Sequence, residues 1–318
     1  MTGARPGSVR VKLVLLLALA ILLFARQGHA AQSYAARGLV LKVDKPHRSL
    51  LVSCERIPDY MGAMVMPFSV RDSAELNGLD AGTMIEFTVV VDQTSSYIKA
   101  IRIHHYESVE ADPLGARRLK LMASLADPSS EQPEIKIGDS VPDFSLIDQN
   151  HQDVSLSQFR GKVVALTFTY THCVLPNFCF RIANNFRQLQ KRFEDQLGRN
   201  LIFMTITFDP AHDTPEVMAK YGETWNADSK GWRLLTGSPS AIEKVSGQFG
   251  VGYWADEGVM IHSLHTVIVN RDGTLAANLE GNEFSANELG DLVQTVLVRP
   301  PKRPVRAGQV VPEVCVAS

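Results

Sequence analysis

Lys162-Val163-Val164-Ala165-Leu166-Thr167-Phe168-Thr169-Tyr170-Thr171 is an apolar and β-branched run without alternation, and His172-Cys173 follows it directly. After Val174-Leu175-Pro176-Asn177-Phe178 comes Cys179, and then Ile182, Phe186, Leu189 and Phe193 recur at the spacing of one helix face. A strand buried on both faces that turns into a helix is the unit of an α/β sheet. Working outward, the same alternation continues: a strand over residues 201–208, a helix from Pro215, another from Ser240, strands over 266–269 and 274–280, and a last helix from Ala286. Residues 135–298 therefore read as an α/β domain, a sheet covered by helices.

Upstream the pattern is different. Residues 39–43, 50–54, 64–70, 85–91 and 97–103 are short β-type runs separated by turn residues, with no helical spacing between them. Five such strands predict a small all-β barrel of the OB-like kind over residues 36–106. Residues 107–134, polar and carrying Pro113, Pro128 and Pro133, read as a linker, and residues 299–318, with four prolines, as a disordered tail. At the other end, Arg5, Arg10 and Lys12 precede an apolar run from Leu13 to Ala25 and the small-residue stretch Gly28-His29-Ala30-Ala31. This is the layout of a secretory signal peptide over residues 1–31, cut after Ala30. Left uncleaved, the segment would anchor the chain to a membrane; its apolar run is shorter than the roughly 20 residues that span a bilayer. Either way the folded part is expected outside the cytoplasm, in the periplasm or otherwise exported.

The chain has 318 residues, 45% of them hydrophobic and 21% charged, and a formal charge of −2. That balance builds ordinary globular cores and offers no broad basic field, so nucleic acid is not expected as a partner. Four cysteines, Cys54, Cys173, Cys179 and Cys315, are too few to knit a chain of this size. Cys173 and Cys179 sit at a strand-to-helix turn, where α/β sheets expose functional side chains and where a helix N-terminus lowers a thiol's pKa. A static disulfide between them is the plain structural alternative. Cys315, in the tail, has no His or Met beside it.

Residues 135–298 resemble the Sco/SenC family of copper proteins, which have a thioredoxin-like fold. The resemblance rests on Gly138-Asp139-x-Val141-Pro142-Asp143-Phe144, the sulfur pair after the buried strand, Asp209-Pro210-x-x-Asp213-Thr214-Pro215, and His262 placed eleven residues before Gly273. It implies that Cys173, Cys179 and His262 bind one copper ion. Soft thiolates favour Cu(I), and imidazole accommodates both oxidation states. His265 is the competing histidine, but it lies only eight residues before Gly273. His172 is expected to line the site. Asp209, ending its strand, is the candidate to orient a ligand, whereas Asp213 and Thr214 read as caps of the helix that Pro215 begins. The spacing here is Cys-x5-Cys, where the family's commonest is Cys-x3-Cys with prolines after the cysteines.

The first domain carries Met61, Met64 and Met66 within six residues. In a strand, Met64 and Met66 project to one face, where thioethers select Cu(I) over harder ions; a methionine-filled core is the alternative. Residues 36–106 resemble the CusF-like periplasmic copper-binding domains, small barrels that hold Cu(I) with a Met-x-Met pair and a ligand from the preceding strand. Where such domains usually have histidine, Cys54 stands ten residues before Met64. The resemblance implies a site of Cys54, Met64 and Met66, with Met61 as a lesser candidate.

Taken together, the sequence predicts an exported copper metallochaperone that by resemblance supplies a respiratory oxidase subunit and is kept reduced by a thiol reductant protein. Two other classes use the same residues. A thiol-disulfide oxidoreductase would attack with Cys173 and resolve with Cys179, although the absence of Cys-x-x-Cys counts against it. A copper-sequestering resistance protein would need no recipient.

Overall fold

The structure is a computed structural model, and it describes residues 31–92, 95–104, 135–173, 178–256 and 259–299. The signal segment, the expected linker, the tail with Cys315 and the Pro176-Asn177 turn lie outside these residues.

The first domain is a five-stranded antiparallel sheet of β1 (Gln32–Asp44), β2 (Ser49–Cys54), β3 (Met64–Ser69), β4 (Met84–Val91) and β5 (Ser96–Ile103), in the order β3-β2-β1-β4-β5. The expected barrel is not closed by a ladder. Among the described residues its two edges are bridged between Val70 and Ile98. Strand β1 is much longer than the apolar run from Leu39 suggests, because its polar first half pairs with β4 from Gln32↔Val91 onward. At Gly38 the strands come very close: a Cβ there would stand 2.5 Å from the Ser53 carbonyl and 3.0 Å from Cys54 Cα.

The second domain is α/β and thioredoxin-like. Its seven strands are β6 (Ser145–Asp148), β7 (Asp153–Ser155), β8 (Val163–Thr169), β9 (Leu201–Thr207), β10 (Trp232–Thr236), β13 (His265–Val269) and β14 (Leu275–Glu280), ordered β14-β13-β8-β9-β10-β6-β7. A separate hairpin, β11 (Tyr253–Asp256) and β12 (Val259–His262), stands beside the sheet. The helices are α1 (Cys179–Arg192), α2 (Pro215–Trp225), α3 (Pro239–Gln248) and α4 (Ala286–Leu297).

All seven residues of β8 are buried, which is why the run shows no alternation. Val163 and Ala165 enter one core with Ile182, Phe186 and Leu189 of α1 and Leu292 of α4. Val164, Leu166 and Phe168 enter the other, with Ile242 and Val245 of α3. Helix α4 starts on a capping box, Ser285 Oγ accepting from Glu288 N and the Glu288 carboxylate accepting from Ser285 N.

The two domains are not independent beads. Leu39, Leu41 and Met84 of the first are buried in the same core as α1 and α4 of the second. Polar ties surround this seam: Ser53 Oγ donates to Asp291 at 2.7 Å, His104 Nε2 meets Glu283 at 2.6 Å, and Arg37 pairs with Glu283. A fragment ending after β5 would lay this apolar face bare. Leu39→Ala in the full chain should therefore destabilise both domains together, by about 2–5 kcal/mol. Denaturant unfolding followed by one probe in each domain checks this, and the two curves should shift in step.

Candidate metal centre

The site begins where β8 leaves the sheet. Tyr170, Thr171, His172 and Cys173 follow the strand, and Cys179 is the first residue of α1. The two thiols are not joined in a disulfide; they are buried and in mutual hydrogen-bonding contact. His262, the last residue of β12, places Nε2 3.8 Å from Cys179 Sγ. Its Nδ1 lies 3.1 Å from the Ser263 carbonyl. A carbonyl only accepts, so Nδ1 carries the proton and the Nε2 lone pair is left facing the sulfur. Aromatic rings wall the imidazole, Phe208 at 4.5 Å and Tyr170 at 5.7 Å between centroids. A cleft between the start of α1 and α2, lined by Cys173, Cys179, Phe180 and Tyr221, opens the sulfur pair to solvent.

Electrostatics here run against the helix-terminus expectation. Contact with the Cys173 thiol, followed by burial, holds the Cys179 pKa well above its ordinary value. Burial and the neighbouring Cys173 also push Tyr170 up. Both groups are neutral at physiological pH in the metal-free chain.

Asp213 is not the helix cap expected of it. Thr214 alone caps α2, its hydroxyl accepting from Val217 N ahead of Pro215. Asp213 is fully buried, and its carboxylate accepts from Thr171 N at 3.1 Å, Thr171 Oγ1 at 2.5 Å and Thr207 Oγ1 at 2.5 Å. It thereby locks the end of β8 to the end of β9. Asp209 points elsewhere: its Oδ2 takes His212 Nδ1 at 2.9 Å and lies 3.5 Å from His172 Nε2. His172 stands edge-to-face with the Tyr170 ring, 4.9 Å between centroids, and faces Asp209. His265 is buried inside the sheet, with Nδ1 on Asn278 at 2.9 Å and its carbonyl accepting from Thr167.

In the first domain, Cys54 and Met64 are directly opposed across β2 and β3, as are Val52 and Met66. Cys54, Met64 and Met66 therefore share one face of the sheet. Cys54 and Met66 pack on the domain core, as does Met61, while Met64 is 49% exposed. The mouth of this face is a cleft between the domains, where Arg192, Glu288 and Asp291 of the second domain stand beside Cys54 and Met64. Burial, together with Glu55 and Glu288, pushes the Cys54 thiol up to about 11.

Donor chemistry fits copper in both places. Two thiols with an imidazole and one thiol with two thioethers are soft sets that suit Cu(I), and neither includes a carboxylate for a hard ion.

Residues 133–297 match the family model for SCO1/SenC, and residues 33–103 match that for the copper binding periplasmic protein CusF. The chain is 31% identical over 148 residues to a SCO2-like protein of Rickettsia typhi, covering 44% of this chain and 68% of that one. It is 28% identical over 145 residues to a putative copper-binding protein of Stutzerimonas stutzeri, covering 44% and 69%. Among solved structures, Arabidopsis thaliana ScoI with copper bound is 24% identical, with 51% of this chain and 98% of that one covered and a TM-score of 0.44.

The raised thiol pKa values set a pH dependence. A thiol that is neutral in the metal-free protein must release its proton to bind metal, so apparent affinity rises with pH until the thiol's own pKa is reached. Cu(I) affinity at the Cys54 site should climb about tenfold per pH unit from neutral pH and level off near 11. Competition with a chromophoric Cu(I) chelator at several pH values checks it.

Proposed function

The chain belongs to the SCO1/SenC family, and we propose that it is an exported copper metallochaperone carrying Cu(I) as cargo on Cys173, Cys179 and His262. The observation that carries the proposal is the convergence of two contacting thiols and an imidazole whose free lone pair faces them. Three such donors hold Cu(I) and leave a side open for transfer, and the cleft beside Cys173 and Cys179 gives a recipient its approach. The recipient is a respiratory oxidase subunit, as the family implies, and the compartment is the periplasm, in keeping with the CusF match. A thiol reductant protein acts upstream, because a disulfide between Cys173 and Cys179 would occupy both sulfurs.

The first domain holds a second Cu(I) on Cys54, Met64 and Met66. Helix α1 separates the two sites: Cys179 starts it, and Arg192, at its other end, stands in the cleft with Cys54. At 1.5 Å per residue the helix spans about 20 Å, so the sites share no ligand and load independently. The competing oxidoreductase would attack with Cys173 and resolve with Cys179, and the absence of Cys-x-x-Cys counts against it.

The test is Cu(I) titration of the reduced full chain, which should take two equivalents. Cys173→Ser, Cys179→Ser and His262→Ala should each weaken one of them at least about tenfold. Met64→Leu with Met66→Leu should remove the other. Unchanged affinity in both cysteine variants contradicts the carrier site, and rapid turnover of protein disulfides by the metal-free chain favours the enzyme.

A further inference from the structure

Outside the sulfur sites, one cluster of potential ligands stands out among the described residues. His172, Asp209 and His212 present ligand atoms that all lie within 4.8 Å of one another. His172 follows β8, whereas Asp209 and His212 belong to the turn after β9. The two segments leave β8 and β9 side by side, the strands pairing as far as Thr169↔Thr207, and Asp213, bonded to Thr171 on one side and Thr207 on the other, ties them beyond the ladder. The frame is thus buried and fixed, and the donors stand at its surface, with side-chain exposures of 48% for His172, 12% for Asp209 and 71% for His212.

A simple ion-pair account explains only half of this. His212 Nδ1 is hydrogen-bonded to Asp209 Oδ2 at 2.9 Å. His172 Nε2 turns toward the same oxygen but stops at 3.5 Å, beyond a normal N–H···O bond. Two imidazole nitrogens converging on one carboxylate oxygen at these separations suit a metal ion. With metal–ligand distances of about 2.0–2.2 Å, neighbouring donors stand about 2.9 to 3.4 Å apart in octahedral or tetrahedral sites.

We propose that His172, Asp209 and His212 form an outer metal site for a borderline divalent cation, taking Cu(II) ahead of Zn(II). Two imidazoles and a carboxylate without sulfur are a poor set for Cu(I) and a good one for Cu(II), and the divalent series places Cu(II) above Zn(II) for such donors. Three protein donors at a half-exposed position leave the remaining coordination positions to water. The outer site adjoins the sulfur site without sharing a ligand. His172 precedes Cys173 in the chain, and the Tyr170 ring contacts both imidazoles, 4.9 Å from His172 and 5.7 Å from His262. One end of the sheet thus offers an oxygen and nitrogen set for the oxidised ion beside a sulfur and nitrogen set for the reduced one.

The test is Cu(II) titration of the full chain followed by electron paramagnetic resonance, to which Cu(I) is silent. One arm uses the chain already loaded with Cu(I) under anaerobic conditions. The other uses Cys54→Ser, Cys173→Ser and Cys179→Ser together, so it is independent of any Cu(I) site. In each arm one equivalent of Cu(II) should bind with hyperfine structure from two imidazole nitrogens. His212→Ala should weaken it at least about tenfold while the Cu(I) stoichiometry of the reduced chain stays unchanged. Cu(II) affinity unchanged from the parent chain in both His212→Ala and the His172→Ala, His212→Ala double variant would overturn the proposal. So would Zn(II) displacing Cu(II) at equal concentration. Should the chain bind no Cu(I) while the triple-serine arm still takes Cu(II), the outer site stands and the carrier reading falls.

Discussion

Asp213 lies fully buried at the turn after β9, and three donors from two strand ends, Thr171 N, Thr171 Oγ1 and Thr207 Oγ1, converge on its carboxylate. Hydrogen bonds to a charged group contribute about 1.5–3 kcal/mol each, and a buried carboxylate without them would be strongly unfavourable. This carboxylate fixes where the chain leaves β8, and with it the direction of Tyr170, His172 and Cys173. It also fixes the turn that carries Asp209 and His212. The sulfur site and the exposed histidine cluster hang from the same anchor, and the Tyr170 ring contacts a histidine of each.

Around that anchor, the chemistry of the thiols follows from their surroundings. A helix N-terminus draws negative charge toward it, yet Cys179 sits in an apolar enclosure of Tyr170, Phe208 and Tyr221 with a second thiol in contact. Contact with Cys173 and burial dominate over the helix end and hold the Cys179 thiol well above its ordinary pKa. His262 completes the set because the Ser263 carbonyl selects its tautomer.

Much of this was legible in the sequence, and the parts that were not share a cause. The β8 run and the α1 spacing reveal a doubly covered sheet because burial on both faces removes alternation. Four of the five β-type runs of the first domain lie within the strands observed, and the fifth, 64–70, overruns β3 by Val70 alone. Strands β6, β7 and β10 and the hairpin carrying His262 are short, three to five residues each, and leave too little periodicity to read. Asp213 looked like a cap because Asp-Thr-Pro is a common helix start, and only the tertiary position of Thr171 shows that its carboxylate turns inward. The shared core between the domains escaped for a similar reason: Leu39 and Leu41 fit a strand of an isolated barrel equally well. His212 had a signal in hindsight, its three-residue spacing from Asp209, but its partner His172 comes from another strand.

The central claim is that the second domain holds Cu(I) with two sulfurs and one imidazole. Copper X-ray absorption tests it most directly, on the reduced full chain carrying Met64→Leu and Met66→Leu and loaded with one equivalent of Cu(I). The account predicts a first shell of two sulfurs and one imidazole nitrogen, with the nitrogen lost in His262→Ala. A shell of sulfur alone, or of nitrogen and oxygen alone, would contradict it.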